Sequence, residues 1–296
     1  TGLASDKATV RGSSGITGLP SPLPKIGSDI DGKSAFDEFG SSISLSADGS
    51  VVAIGAPNND GNGTDSGHVT IYKWENNIGT QIGGDIDGEA ANDYSGWSIS
   101  LSDDGSVVAI GANGANNSGS GVVRIYKNVN NSWIKIGDDI DGEADDDYSG
   151  QSVSLSADGS VVAIGADWND GNGTDSGHVR IFKNINNTWT QVGSDIDGEA
   201  SNDYSGQSVS LSNDGSVVAI GAYGNDGNGT DSGHVRIYQN VSGTWTQIGD
   251  DIDGEEAFDF SGESVSLSSD GSIVAIGALY NNENGYESGH VRIYQN

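Results

Sequence analysis

The chain has 296 residues, of which 43 are acidic and 12 basic, giving a formal net charge of -31. That charge repels a phosphate backbone and removes the main electrostatic term from nucleic-acid binding, so DNA and RNA are not expected partners. The chain contains no cysteine, which excludes disulfides and thiolate metal sites, and no apolar run approaches the ~18 residues that cross a membrane as a helix.

Methionine is also absent, so Thr1 is expected to be a processed N-terminus, as after signal-peptide removal, or the start of a fragment. Secretion is the simplest account, and an extracellular or cell-surface location is expected. Residues 1–22 are rich in Gly, Ser and Thr, carry Lys7 and Arg11, and form an N-terminal arm outside the pattern that follows. Two readings of the arm stay open: a disordered tail, or an extended segment that adds as a strand to a neighbouring subunit.

From Lys25 onward the chain repeats itself. Ile30, Ile86, Ile140, Ile196 and Ile252 each sit in an Asp-Ile-Asp-Gly tetrapeptide at intervals of 56, 54, 56 and 56 residues, with repeats starting near 25, 81, 135, 191 and 247. In the unit that begins at Asp195, Val209 and Leu211 alternate with serines, the period of a half-buried strand. An Asn-Asp-Gly hairpin turn follows. Val217 to Ala222 is a continuous run of small apolar residues, as expected of a strand covered on both faces. After a long polar loop, Val235 and Ile237 alternate with polar neighbours, and Thr244 to Gly249 completes the unit.

Four short antiparallel strands at this period predict a propeller blade. The fifth repeat stops at Asn296 after its third strand, while Leu23 to Gly27 matches the missing fourth. The expected architecture is therefore all-β: a five-bladed β-propeller of four-stranded antiparallel blades over residues 23–296, its ring closed by an N-terminal strand that completes the last blade. The rival is an open solenoid.

The order Asp93-Tyr-Ser-Gly96, Ser98 to Ser102, Ala109-Ile-Gly-Ala112 and Val123 to Tyr126 resembles the FG-GAP repeat of integrin-alpha-type propellers. Phe39-Gly40 and Gly55-Ala56-Pro57 reproduce its two name-giving motifs in the first copy. The resemblance covers Lys25 to Asn296 and implies extracellular adhesion or recognition, often with calcium. It departs from the family at the turn between the first two strands, where only a short Ser-Ala-Asp-Gly-Ser turn stands in place of an Asp-rich calcium loop.

A different calcium site is suggested by the residues themselves. Each connection between repeats carries Asp-x-Asp-Gly and a further aspartate six positions on: Asp29, Asp31 and Asp37; Asp85, Asp87 and Asp93; Asp139, Asp141 and Asp147; Asp195, Asp197 and Asp203; Asp251, Asp253 and Asp259. Closely spaced carboxylates suit calcium, which takes six to eight oxygens. They equally suit turn capping, in which Asp accepts backbone N–H bonds. Between the second and third strands, the loops Asp60–Asp65, Asp170–Asp175 and Asp226–Asp231 are long for hairpins and are expected on the same face, as solvated loops or as walls of metal or sugar pockets. Asp65, Asp175, Asp231 and Trp168 are candidate ligand-binding residues there. Asn62, Asn116, Asn130, Asn172, Asn186, Asn228 and Asn240 head glycosylation sequons.

Every repeat carries the same acidic set, with no Ser/His/Asp combination or phosphate loop to break the symmetry. The sequence therefore predicts a non-catalytic extracellular module for adhesion, recognition or scaffolding, calcium-assisted, with protein or glycan partners at the cell surface or matrix. Two alternatives stand beside it: a self-assembling filament or coat subunit linked through the N-terminal arm, and a lectin-like multivalent glycan binder.

Overall fold

A computed structural model of the protein describes residues 25–295. The repeats fold into five antiparallel sheets. The first holds β1 (Ile43–Leu45), β2 (Val51–Ala56), β3 (His68–Glu75), β4 (Ile78–Gln81) and β5 (Ile86–Asp87). The second holds β6 (Ser98–Leu101), β7 (Val107–Ala112), β8 (Val122–Val129), β9 (Ser132–Lys135) and β10 (Ile140–Asp141). The third holds β11 (Ser152–Leu155), β12 (Val161–Ala166), β13 (His178–Ile185), β14 (Thr188–Gln191) and β15 (Ile196–Asp197). The fourth holds β16 (Ser208–Leu211), β17 (Val217–Ala222), β18 (His234–Val241), β19 (Thr244–Gln247) and β20 (Ile252–Asp253). The fifth holds β21 (Ser261–Leu267), β22 (Ile273–Ala278) and β23 (His290–Gln295).

The turn joining the first two strands of each sheet is fixed by its aspartate. Asp48 accepts the Ser50 N–H and the Ser46 hydroxyl, both at 2.8 Å, and the Ser46 hydroxyl oxygen accepts the Val51 N–H. The same bonds recur at Asp104, Asp158, Asp214 and Asp270, and they hold the Asp270 carboxyl down to about 2.

The core lies between sheets. Val51, Val69 and Ile71 of the first sheet pack with Leu101, Val108 and Ile110 of the second, and equivalent clusters join second to third, third to fourth and fourth to fifth. Glycine permits this close approach: a Cβ at Gly55, Gly111, Gly165 or Gly221 would lie 2.0–2.3 Å from a carbonyl oxygen of the following sheet. Each seam also carries the same hydrogen bonds. The Ser42, Ser98, Ser152 and Ser208 hydroxyls donate to Gly96, Gly150, Gly206 and Gly262 carbonyls. Along the inner turns, the Ala47 N–H donates to Asp103 O, Asp103 to Ala157, Ala157 to Asn213 and Asn213 to Ser269. Residues from all five innermost strands, β1, β6, β11, β16 and β21, line one narrow channel of ≈ 70 Å³.

One expectation is corrected and another is not confirmed. The first four sheets have five strands, not four, because each Asp-Ile-Asp segment forms a two-residue strand against the start of the third: Asp87 pairs with His68 and Ile86 with Val69. Strands β3, β8, β13 and β18 are eight residues long, so one edge accommodates both β4-type and β5-type partners.

The fifth sheet has three strands, and among the described residues no fourth strand completes it. Ring closure by Leu23 to Gly27 is not confirmed, residues 23 and 24 lying outside the described residues. Gly27 lies against the first sheet, where an added Cβ would meet Asn77 O and Trp74 Nε1 at 3.0 Å, as Gly83, which follows the fourth strand of the first sheet, lies against Asn131 and Trp133 of the second. The face of β23 is open: Val291 and Ile293 are 67% and 70% exposed. The proposed arm of residues 1–22 lies outside the described residues.

Candidate functional site

The most regular concave features are grooves at the outer ends of the seams. One, of ≈ 370 Å³, is lined by Asp29, Asp31, Tyr72 and Trp74. A second of ≈ 370 Å³ is lined by Asp85, Asp87, Tyr126 and Trp133, and a third of ≈ 330 Å³ by Asp195, Asp197, Tyr238 and Trp245. Each brings together the Asp-Ile-Asp pair and the aromatic pair of a single repeat; in the second and third grooves the aspartates end one sheet and the aromatics belong to the next. The tryptophans are fixed from behind: Trp133, Trp189 and Trp245 donate their Nε1 protons to Ile82, Ile136 and Val192 carbonyls at 2.8–2.9 Å.

Within each aspartate triplet the structure separates three roles. The third member is buried and caps the next turn: Asp93 accepts the Glu89 and Ala90 N–H groups. Asp37, Asp147, Asp203 and Asp259 each accept a backbone N–H, together with Asn59, Asn169, Asn225 and Asn281 Nδ2 at 3.0–3.1 Å. The first member faces the outer edge. Asp85, Asp195 and Asp251 accept from Gln81, Gln191 and Gln247, and Asp139 accepts from Arg124 and Lys135. Burial raises Asp85, but its bonds to Lys33 and Gln81 outweigh that and hold its carboxyl below the usual range. The second member borders the long loop; burial and the neighbouring first aspartate push Asp197 and Asp253 up.

Histidines at the start of the third strands join these carboxylates. His68 comes together with Asp85 and Asp87, His178 with Glu143 and Asp195, and His234 with Glu199 and Asp251, with donor atoms mutually within 4.8 Å. Burial, and then Arg180 or Arg236, lower His178 and His234 to about 4, so at neutral pH the rings are uncharged. These sets do not fit calcium as an all-oxygen cage: the third aspartate is engaged elsewhere, an imidazole takes part, and Lys33 or an arginine already neutralises a carboxylate.

The long loops are tied down rather than loosely solvated. Asn62 Nδ2 donates to Gly88 O and Glu89 O, and the Asn92 and Tyr94 N–H groups donate back to Thr64 and Asp65. Asn172 and Asn228 make the same pairs of bonds. Asn116 Nδ2 donates to Ser120 and Asp141, whereas Asn130 and Asn186 lie on exposed hairpins and the Asn240 side chain accepts the Gly243 N–H. Asp65, Asp175 and Asp231 adopt φ near +50°, and each donates its N–H to the aspartate that opens its loop.

On the loop face, the repeat symmetry breaks. Tyr148, Trp168, Tyr204, Tyr223, Phe260 and Tyr280 form an unbroken run of ring contacts across the third to fifth sheets. Beside it runs a polar ladder: Asn113 donates to Gln151, Gln151 to Gln207 and Gln207 to Glu263. Of this cluster, sequence reasoning selected only Trp168. The signal available was that the positions after Gly-Ala differ between repeats, reading Pro57, Asn113, Asp167, Tyr223 and Leu279.

The FG-GAP repeat pattern matches residues 30–72, 139–182 and 194–238. These three segments are FG-GAP repeats. Solved structures resemble the fold at low sequence identity. The periplasmic gluconolactonase PpgL of Pseudomonas aeruginosa matches at 16% identity and TM-score 0.55, covering 79% of this chain and 64% of that protein. A candidate 6-phosphogluconolactonase of Bacteroides uniformis matches at 15% and 0.54, covering 86% and 71%. TolB of Acinetobacter baumannii matches at 14% and 0.51, covering 86% and 51%. This chain thus spans under two thirds of the length of PpgL and about half of TolB. A search of curated proteins found no match.

FG-GAP repeats, seam-packed sheets and these neighbours make the fold a β-propeller. They also correct the expectation that the chain is not an enzyme, since the fold's neighbours include a gluconolactonase and a candidate 6-phosphogluconolactonase. The premise behind that expectation, identical repeats, fails at the loop face. No helix among the described residues is long and apolar enough to cross a membrane.

Proposed function

We propose that this protein is an extracytoplasmic recognition module whose five sheets act as propeller blades, and that it takes carbohydrate in the grooves between neighbouring sheets. The observation that carries this reading is the recurrence of one groove: two carboxylates, a tyrosine and a tryptophan in a cleft of ≈ 330–370 Å³. That volume falls in the range of small-ligand sites. Aromatic faces stack on the apolar face of a sugar ring, and ionised carboxylates accept bonds from its hydroxyls. Several equivalent weak sites on one rigid body favour a polyvalent surface such as a glycan coat or matrix, through effective concentration.

The experiment is calorimetric titration with neutral oligosaccharides of increasing length. Expected are a stoichiometry above one and apparent affinity that rises with ligand length. Asp85→Asn with Asp195→Asn lowers the number of sites without unfolding the protein. A stoichiometry of one, or affinity unchanged in the double variant, rejects the grooves. Calcium assistance is not part of this proposal, because the His68, Asp85 and Asp87 set, with Lys33 on Asp85, does not fit it. Thermal unfolding with calcium and then with chelator at fixed ionic strength checks this: a ligand bound only to the folded state would raise the midpoint, and no shift is expected.

A further inference from the structure

Asp167 is a carboxylate of the loop face that is buried with one oxygen unpaired. It is 2% exposed, and its Oδ1 has no hydrogen-bond partner. Burial, Glu263 and Asp175 together push its pKa to about 7. Its aromatic neighbours feel it in turn: burial and then Asp167 raise Tyr223, while burial, Asp175 and Asp167 raise Tyr204. Its own backbone N–H opposes the shift, while the charged groups that bear on Asp167, Glu263 and Asp175, are both acidic.

Aromatic rings lie close to it. Trp168 contacts Tyr148 and Tyr204 at 5.3 and 6.3 Å between centroids, and Tyr204 stacks on Tyr223 at 5.0 Å and 5°. Trp168 remains 45% exposed. Ring faces carry negative potential and attract cations, and a buried carboxylate oxygen without a donor is costly unless the group is protonated or meets a positive charge. Both features ask for the same ligand. The chain's charge of -31 would draw that ligand in from solution.

We propose that the aromatic run and Asp167 form a binding site for a small organic ammonium ion, with the Asp167 carboxylate as its counter-ion and the Trp168 and Tyr204 rings as its walls. The site is separate from the grooves between sheets and takes a different chemical class, so either can fail without the other. Because cation binding favours ionised Asp167, binding at neutral pH releases a proton to the buffer, on the order of half a proton per ion where pH and pKa coincide.

The test is calorimetric titration of the intact chain with tetramethylammonium chloride, against sodium chloride at equal ionic strength, in two buffers of different ionisation enthalpy. Expected is saturable binding with proton release, tightening as pH rises from 5.5 to 8. In Asp167→Asn, binding weakens by about tenfold or more and proton release disappears. Trp168→Ala weakens binding but leaves the proton release of the bound fraction. Heats matching those of sodium chloride, or binding unchanged by Asp167→Asn, would overturn the site. Should Asp167→Asn fail to fold, the pH series on the unaltered chain decides alone: affinity independent of pH rejects the role of Asp167.

Discussion

Strands β18 and β23 begin with the same six residues, His-Val-Arg-Ile-Tyr-Gln, and meet opposite environments. In β18, Val235 is 0% exposed beneath the fifth sheet; in β23 the matching Val291 is 67% exposed, with Ile293 beside it at 70%. Local sequence and backbone pairing are the same in both, since each strand pairs with a Val-Ala-Ile-Gly-Ala strand in the same register. Burial in this molecule is thus a property of the seam, supplied by the next repeat, and a residue's contribution to stability depends on whether a sheet follows it.

The sharpest way to break that comparison is to place a charge at both positions. Val235→Asp buries an unpaired carboxylate and is expected to cost about 4 kcal/mol, while Val291→Asp should stay within about 0.5 kcal/mol. Equal losses in urea denaturation would mean that the β23 face is covered in solution. Glycine tests the seam by volume. A Cβ at Gly221 would lie 2.0 Å from Gly262 O, but at Gly277 the three nearest atoms all belong to Ser264 of the same sheet. Gly221→Ala should therefore cost about 2 kcal/mol, with Gly277→Ala less harmful, read from the same denaturation midpoints.

Tryptophan sharpens the contrast further. Trp245→Phe removes a bond to Val192 O and should cost about 1 kcal/mol, whereas Trp74, whose buried Nε1 lacks a partner, should tolerate Phe with little loss. Acid provides the last comparison. His178 and His234 titrate near 4 in the folded state, below their ordinary value, so the unfolded chain binds protons first. Their contribution is intact above pH ~6.5 and is lost as pH falls towards 4, by about 1 kcal/mol per histidine between pH 7 and 5.5. Thermal midpoints of His178→Gln/His234→Gln should fall less steeply across that interval than those of the unaltered chain.

Much of the fold was legible because the repeat restates it: alternation at Val209 and Leu211, and the unbroken Val217 to Ala222 run, mark strands without ambiguity. The Asp-Ile-Asp strands were missed because two residues are too few to display a period. Closure was inferred from the match of Leu23 to Gly27 to a missing strand; Gly27 sits against the first sheet as Gly83 sits against the second, while β23 gains no fourth strand among the described residues. The aspartate triplets could be located but not sorted, since whether a carboxylate caps a turn or faces a groove depends on Asn59-type partners 22 residues away. The aromatic run was hidden for a further reason. Its rings come from three motif positions in three repeats, and only seam packing brings Trp168 to Tyr204 and Tyr223 to Phe260.

The hydrogen bonds along the inner turns all run one way, from Ala47 to Asp103, to Ala157, to Asn213, to Ser269, each N–H donating to the carbonyl of the following repeat. A one-way, uniform coupling of this kind makes the protein modular in heredity as well as in shape. Duplication or loss of a whole repeat reproduces a junction already in use, so blade number can drift while each blade's interior stays under selection. Such an array is also expected to melt from its edges inward, with the three-stranded fifth sheet yielding before the doubly flanked third.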